Sequence, residues 1–285
     1  MGSMKLLARL SLAAFASLAL APAAFALPFT PDVEVRKITQ FGGACAGCEL
    51  SGRKMAGAHF TGADFARASL VGSDLRSVHF IGSNFAGANL SRADLTNAEV
   101  LGGNFNGANL ASAKMANIEA RGVNFTGANL SNVDMRGAEA EGAIFNRANL
   151  ASADLTGASL HGALLRGANA SKASFRGASL DGAQMSGDFS RASFRGASMN
   201  AASFGGGNFS GSDFTGADLD GAMLAGADLT GAKGLTISQL AGACADSRTR
   251  LPSGLKAQGC GRFSPPRPPA PPRAPAPTRR IVSAE

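Results

Sequence analysis

The chain has 285 residues, 37 of them Gly, with neither Trp nor Tyr and a formal net charge of +7. A globular core anchored by Trp and Tyr is therefore excluded, and the interior must be filled by small residues, Leu, Met and Phe. Residues 27–260 carry 20 basic and 19 acidic side chains, so the body is nearly neutral, the excess lies towards the termini, and nucleic acid is disfavoured as a partner.

Residues 1–26 read as a secretory signal peptide. Lys5 and Arg9 come first, an apolar run extends from Leu10 to Leu20, and Ala24-Phe25-Ala26 supplies a small-residue cleavage site. That run is shorter than the roughly 20 residues a membrane-spanning helix needs, so the mature chain is expected to lack a transmembrane segment and to be periplasmic or secreted. Residues 27–49 form an N-terminal cap segment in which Val33, Val35 and Ile38 alternate as in a short strand. It ends in Cys45-Ala46-Gly47-Cys48. The even cysteine count in an exported chain suits disulfides, and the simplest connectivity is local, Cys45 with Cys48 and Cys244 with Cys260. A redox reading of the first pair lacks a βαβ context, and Glu49 stands where haem attachment needs His.

Residues 50–234 repeat in fives of the form A-(D/N)-(L/F)-x-x. In a helix each five-residue step turns the large residue by about 140°, so no apolar stripe forms. In a strand an odd step sends alternate large residues to opposite faces. The pattern buries consistently only if the chain turns a corner once per five, with the Ala and the large residue both pointing inward. Four corners close a square coil of twenty residues. Written in twenties, one ladder reads Leu50, Leu70, Leu90, Leu110, Leu130 and Leu150, and another Phe65, Phe85, Phe105, Phe125 and Phe145. Gly, Asn, Ser or Arg two places after the large residue suits a tight corner. One coil cannot stand alone, so stability is cooperative along the stack. The period slips once: Phe189 follows Met185 by four residues, which predicts a tightened corner or bend at Ser186, Gly187 and Asp188.

Residues 235–261 break the pattern. Thr236 and Gln239 form a capping-box signature, and Ile237, Leu240, Ala241 and Cys244 fall on one helical face, so a short helix carrying Cys244, with Cys260 beyond it, is expected to cap the last coil. Residues 262–285 are Pro-rich and basic and read as a disordered tail.

The runs GADFARASL, GANLS and GADLTGA resemble the pentapeptide-repeat proteins, and the resemblance covers about Cys45 to Cys260. It implies an all-β fold, a right-handed quadrilateral parallel β-helix. The lead-in ITQFGGACAGCELSG and the closing segment with Cys244 and its later Leu-Pro are similar to those of some members. Some members of that family are acidic, imitate duplex DNA and bind type II topoisomerases.

His59 and His79 share one outward position a coil apart, two ligands short of a structural zinc site, and together with His161 are read as solvated surface residues. Asp64, Asp74, Asp94, Asp134, Asp154, Asp213, Asp218 and Asp228 follow the repeat and alternate with Asn and Ser, as turn-stabilising residues would rather than a hydrolytic pair. With no nucleophile elbow, phosphate loop or zinc-protease motif, no catalytic residue, cofactor or metal is expected. The sequence reads as a non-enzymatic exported structural or interaction scaffold whose partner is a protein or an envelope component. A DNA mimic aimed at topoisomerase and a surface binder acting through the basic tail are the alternatives.

Overall fold

The computed structural model describes residues 45–260. The predicted signal peptide, the lead-in before Cys45 and the tail from residue 261 lie outside the described residues.

Where the backbone donors of a single five go explains the fold. Leu90 N–H donates to the Asn109 carbonyl (2.7 Å), Arg92 N–H to that of Ala111 (3.0 Å) and Asp94 N–H to that of Ser73 (2.9 Å), all in neighbouring coils. Ala93 N–H closes the corner onto the Leu90 carbonyl (3.1 Å). The remaining donor, Ser91 N–H, reaches the side-chain Oδ1 of Asn89 at 3.2 Å. Every donor of the five is thus satisfied, three by adjacent coils, one by the turn and one by the Asx side chain before the large residue. That is why the repeat carries Asp or Asn at its second position.

At each regular corner the residue two places after the large one has positive φ, as in Gly87 (65°) and Arg92 (58°), the backbone that the third residue of a type II turn demands. Repeated four times, these corners build a right-handed quadrilateral β-helix. Parallel bridges join each residue before a large one to its equivalent twenty positions on, as in Asn89 with Asn109 and Asn109 with Asn129. Two are long enough to be strands, β1 (His59–Thr61) and β2 (His79–Ile81), paired in parallel.

The four sides of a coil are designated A to D in chain order, with the inward ladders headed by Leu50, Met55, Phe60 and Phe65; A then lies opposite C, and B opposite D. Leu70, Leu90, Leu110, Leu130 and Leu150 are fully buried, while Leu50, in the first coil, is partly buried against the core. Phe65, Phe85, Phe105, Phe125 and Phe145 are at most 2% exposed. Their rings stack with successive centroids 5.0, 4.6, 5.3 and 5.1 Å apart. This is the inter-coil spacing expressed in side chains, and offset ring pairs at that distance add to the area they bury.

At Ser186–Asp188 the corner is one residue shorter and the register changes with it: Gln184 pairs with Ser203, nineteen residues on, before Asp188 with Asn208 restores twenty. A Cβ on Gly187 would be driven into the carbonyl oxygen of Ala168 in the preceding coil. Glycine is needed here for close approach and not for positive φ. Above it, a Cβ on Gly207 would meet the Met185 carbonyl oxygen at 2.6 Å, so the coil that covers the short corner also takes Gly where the repeat has Ala.

The described residues end with α1 (Ile237–Ala241), β3 (Cys244–Ala245) and β4 (Gln258–Gly259), the two strands pairing in parallel. Thr236 Oγ1 accepts from Gln239 N–H, and the Gln239 side chain accepts from Thr236 N–H. The helix is shorter than the four-position apolar face suggests. Leu240 is buried but Ile237 is 71% exposed. Gly242 ends the helix, and Cys244 returns to the ladder by pairing with Met223. One turn is enough to close the coil, because Gln239 Nε2 donates to the carbonyls of Phe214 (3.0 Å) and Ala217 (2.7 Å).

Two substitutions test the corner chemistry. Gly187→Ala should cost about 2–3 kcal/mol by forcing the coils apart, whereas Gly205→Ala, whose new methyl would lie at 3.5 Å or more from any neighbour, should stay within about 0.5 kcal/mol. Ala201 is held at φ 55°, so Ala201→Gly should stabilise by about 0.5–1 kcal/mol. Urea denaturation of each variant measures these differences.

Candidate functional surface

Since the inward positions are filled, chemistry can be sought only on the four outer faces and at the ends. Face A carries an asparagine ladder. Asn109 Nδ2 donates to Asn89 Oδ1 (3.1 Å), Asn129 to Asn109 (3.2 Å), Asn149 to Asn129 (3.3 Å) and Asn169 to Asn149 (3.3 Å). Each Oδ1 from Asn89 to Asn149 therefore serves both the coil above and its own corner. Face D begins likewise, with Asn84 donating to Asp64 (2.9 Å) and Asn104 to Asn84 (3.0 Å), and then turns apolar at Ile144 and Leu164.

Face B is an ion-paired column. Arg76 binds Asp74 through two nitrogens (2.8 and 2.7 Å), Arg136 binds Asp134 in the same way, Lys114 lies 3.8 Å from Asp94, and Arg195 lies 3.2 Å from Asp213. The hydrogen bond from Arg76 holds the Asp74 carboxyl below its usual range, and Arg136 does the same for Asp134. Such carboxylates are poor proton donors or acceptors at neutral pH. Asp64, Asp94, Asp154, Asp213, Asp218 and Asp228 also accept a backbone N–H two residues on.

Face C gathers the histidines and the acids. His59 and His79 stack with centroids 4.2 Å apart, and His79 Nδ1 lies 2.6 Å from Glu99 Oε2. His79 is thus held by a carboxylate and is not simply solvated. Glu99 stands twenty residues further along the same column, and that spacing is the signal by which it could have been found. Arg121 is shared by Glu119 (3.4 Å), Glu139 and Glu141 (3.3 Å). His161 lies 2.9 Å from Ser179 Oγ and 3.6 Å from Asp181. No group of three or more His, Cys, Asp or Glu side chains among the described residues is arranged to hold a metal ion.

At the ends, disulfides join Cys45 to Cys48 and Cys244 to Cys260. Beside the second lies an open cavity of about 510 Å³, lined in part by Asp246, Thr249, Leu255 and Lys256. Asp246 is not free for chemistry. Its Oδ1 accepts from Gly226 N–H (2.8 Å) and from the backbone N–H groups of Arg248 and Thr249 (3.1 Å each), and Arg248 binds its Oδ2. The Gly226 donor leads the causes that hold this carboxyl far below its usual range, outweighing desolvation. It pins the closing segment to the last regular coil. Ser186, Gly187 and Asp188 form no site of their own: Asp188 Oδ1 accepts from Ser190 N–H and from Asn208 Nδ2.

The pentapeptide-repeats family profile matches in eight copies within residues 45–80, 73–110, 104–139, 136–169, 158–187 and 197–233. The unmatched interval, 188–196, begins at the last residue of the short corner. A search of curated proteins found no significant match. Among solved structures the chain is similar to HetL, a pentapeptide repeat protein involved in heterocyst differentiation regulation in the cyanobacterium Nostoc. Identity is 27% over 75% of this chain and 93% of that one, with a TM-score of 0.54. It is also similar to QnrB1, a plasmid-mediated fluoroquinolone resistance protein, at 21% identity over 70% of this chain and 92% of that one, TM-score 0.35. A third similar structure is a pentapeptide repeat protein of the Arabidopsis thaliana thylakoid lumen, at 27% identity over 46% of this chain and 67% of that one, TM-score 0.16.

The lowered Asp246 carboxyl gives a pH test. Because its folded value lies below its unfolded one, its contribution to stability is complete above about pH 4 and is lost as pH falls towards the folded value. Asp246→Asn should lower the melting temperature at pH 7, and the gap from the parent should narrow as pH is taken down to about 3, read by circular-dichroism melts at both pH values.

Proposed function

Because the chain belongs to the pentapeptide-repeat family, we propose that it acts as a non-enzymatic, exported scaffold that binds a protein or envelope component through its outer faces. One observation carries the reading. The carboxylates, amides and cations that could have formed an active site are largely engaged in the repeat itself, as corner acceptors, cross-coil amide bonds and ion pairs. What remains for function is a flat, periodic surface. Members of this family are in general structural or interaction proteins, and no helix among the described residues is long and apolar enough to cross a membrane.

Export is supported by the sequence pattern of residues 1–26 and by the two short-range disulfides, which persist in oxidising compartments. On this reading the basic tail is an accessory to envelope binding, not its main determinant. The DNA-mimic reading meets a body close to neutral with cations at all four corners of the coil, as at Arg92, Arg136, Arg121 and Arg147. Stoichiometric inhibition of gyrase supercoiling by the mature protein would favour it over the scaffold reading.

The test has two parts. Fractionation and N-terminal sequencing should find a mature chain beginning at Leu27 outside the cytoplasm; an uncleaved cytoplasmic chain overturns export. Crosslinking from residues placed at outward positions of each face should join the mature chain to the same envelope component from one face only. Deletion of residues 262–285 should leave that crosslink intact. Loss of the crosslink on deletion, or crosslinks of equal yield from all four faces, would contradict binding by an outer face.

A further inference from the structure

The near-neutral total conceals a segregation of charge between opposite faces. Face C and the corner leading from it hold Glu99, Glu119, Glu139, Glu141, Asp181, Asp218 and Asp220, against Arg121 as their one arginine. The two ridges that flank face A hold Arg67, Arg92, Arg147, Lys172 and Arg191, all exposed. Unlike the cations that are paired on faces B and C, these five make no ion pair or side-chain hydrogen bond with any described residue. The stems of Arg67, Arg147 and Arg191 lie over the glycine of the next coil, each about 3.5–3.6 Å from where a Cβ would stand on Gly87, Gly167 and Gly211. The first part of each stem thereby packs against the ridge.

We propose that face A of one copy docks onto face C of a second copy, so that the chain self-associates side by side through complementary charge. The occupant follows from the charges and from the period together. Lys172 and Arg191 stand in successive coils on one ridge of face A and Arg147 stands one coil earlier on the other ridge, while Glu99, Glu119 and Glu139 occupy three successive coils of one column on the opposite side. Both faces share one coil spacing, so when Lys172 meets one glutamate of that column, Arg191 meets the next, and Arg147 adds its charge from the other ridge. A single exposed pair is weak, and only a repeated set gives orientation and partner choice. The regular coils offer a face on the order of 45 Å by 15–20 Å, roughly 700 Å² per partner, close to the size of a specific interface. The contact is heterologous, A to C, so it leaves a free A face and a free C face at the two ends and can propagate. The inference is independent of export and of any envelope partner.

Sedimentation velocity on the full chain tests it. In about 0.02 M salt the weight-average mass should at least double relative to about 0.3 M salt, where screening returns the monomer. The triplet Arg147→Glu, Lys172→Glu, Arg191→Glu and the triplet Glu99→Lys, Glu119→Lys, Glu139→Lys should each be monomeric at low salt while keeping the parent's circular-dichroism spectrum. Mixed in equal amounts, they should associate again, because each supplies the charge the other has lost. Should a reversed triplet fail to fold, the neutral set Arg147→Gln, Lys172→Gln, Arg191→Gln reads the same loss. A monomer at low salt overturns the proposal. Association that survives in both triplets, or a mixture that stays monomeric, overturns it equally.

Discussion

The parallel hydrogen bonds between coils are the constraint from which the rest of this protein follows. Each five sends Leu90-type and Asp94-type amides to opposite neighbours, at 2.7 and 2.9 Å in that repeat, so no coil is complete without one above and one below. The twenty-residue spacing of the bridges, the stacked Phe rings and the asparagine ladders are three expressions of that single spacing. Because the bonds are parallel and in register, like residues come to stand on like residues, and a side chain that suits one coil suits the next. A solenoid of this kind has two exposed ends, and each described end is tied by a disulfide close to where the ladder stops.

The corners carry the cost. Among the described residues twelve that are not glycine, including Arg67, Ser112, Lys172 and Ala201, are held at φ between 52° and 61°, where an L-residue is strained. Several of these are the same arginines that ridge face A. A residue at this position must turn tightly, yet its side chain lies outside the tube, so the strained corner is also a place where a long cation is exposed. Corner chemistry and surface chemistry are therefore chosen together, and Gly at every corner would relieve strain at the expense of the charged ridges.

The fold class was legible because a five-residue period is incompatible with both a helix and a one-sided strand, and the ladder of Phe65 to Phe145 is visible once the chain is written in twenties. The four-residue step from Met185 to Phe189 is likewise plain arithmetic. That Gly187 stands against the Ala168 carbonyl is not, because the partner belongs to another coil. The apolar spacing overstates the helix because Ile237 and Cys244 satisfy a helical period that Gly242 interrupts. His79 looked solvated because its partner Glu99 is remote in sequence. The charge segregation is hidden in the sequence for the same reason: a net sum takes no account of which face a residue occupies, and that assignment needs the residue's position within its coil as well as its sign.

A square coil requires the chain to advance by one coil spacing per twenty residues. Spin labels at Ser69→Cys and Asn169→Cys, five coils apart on face A, measure it by pulsed electron resonance. Stacked coils predict a single narrow separation of about 24 Å between attachment points. A broad distribution, or one centred well beyond about 40 Å, would mean that these hundred residues are not wound as a square coil.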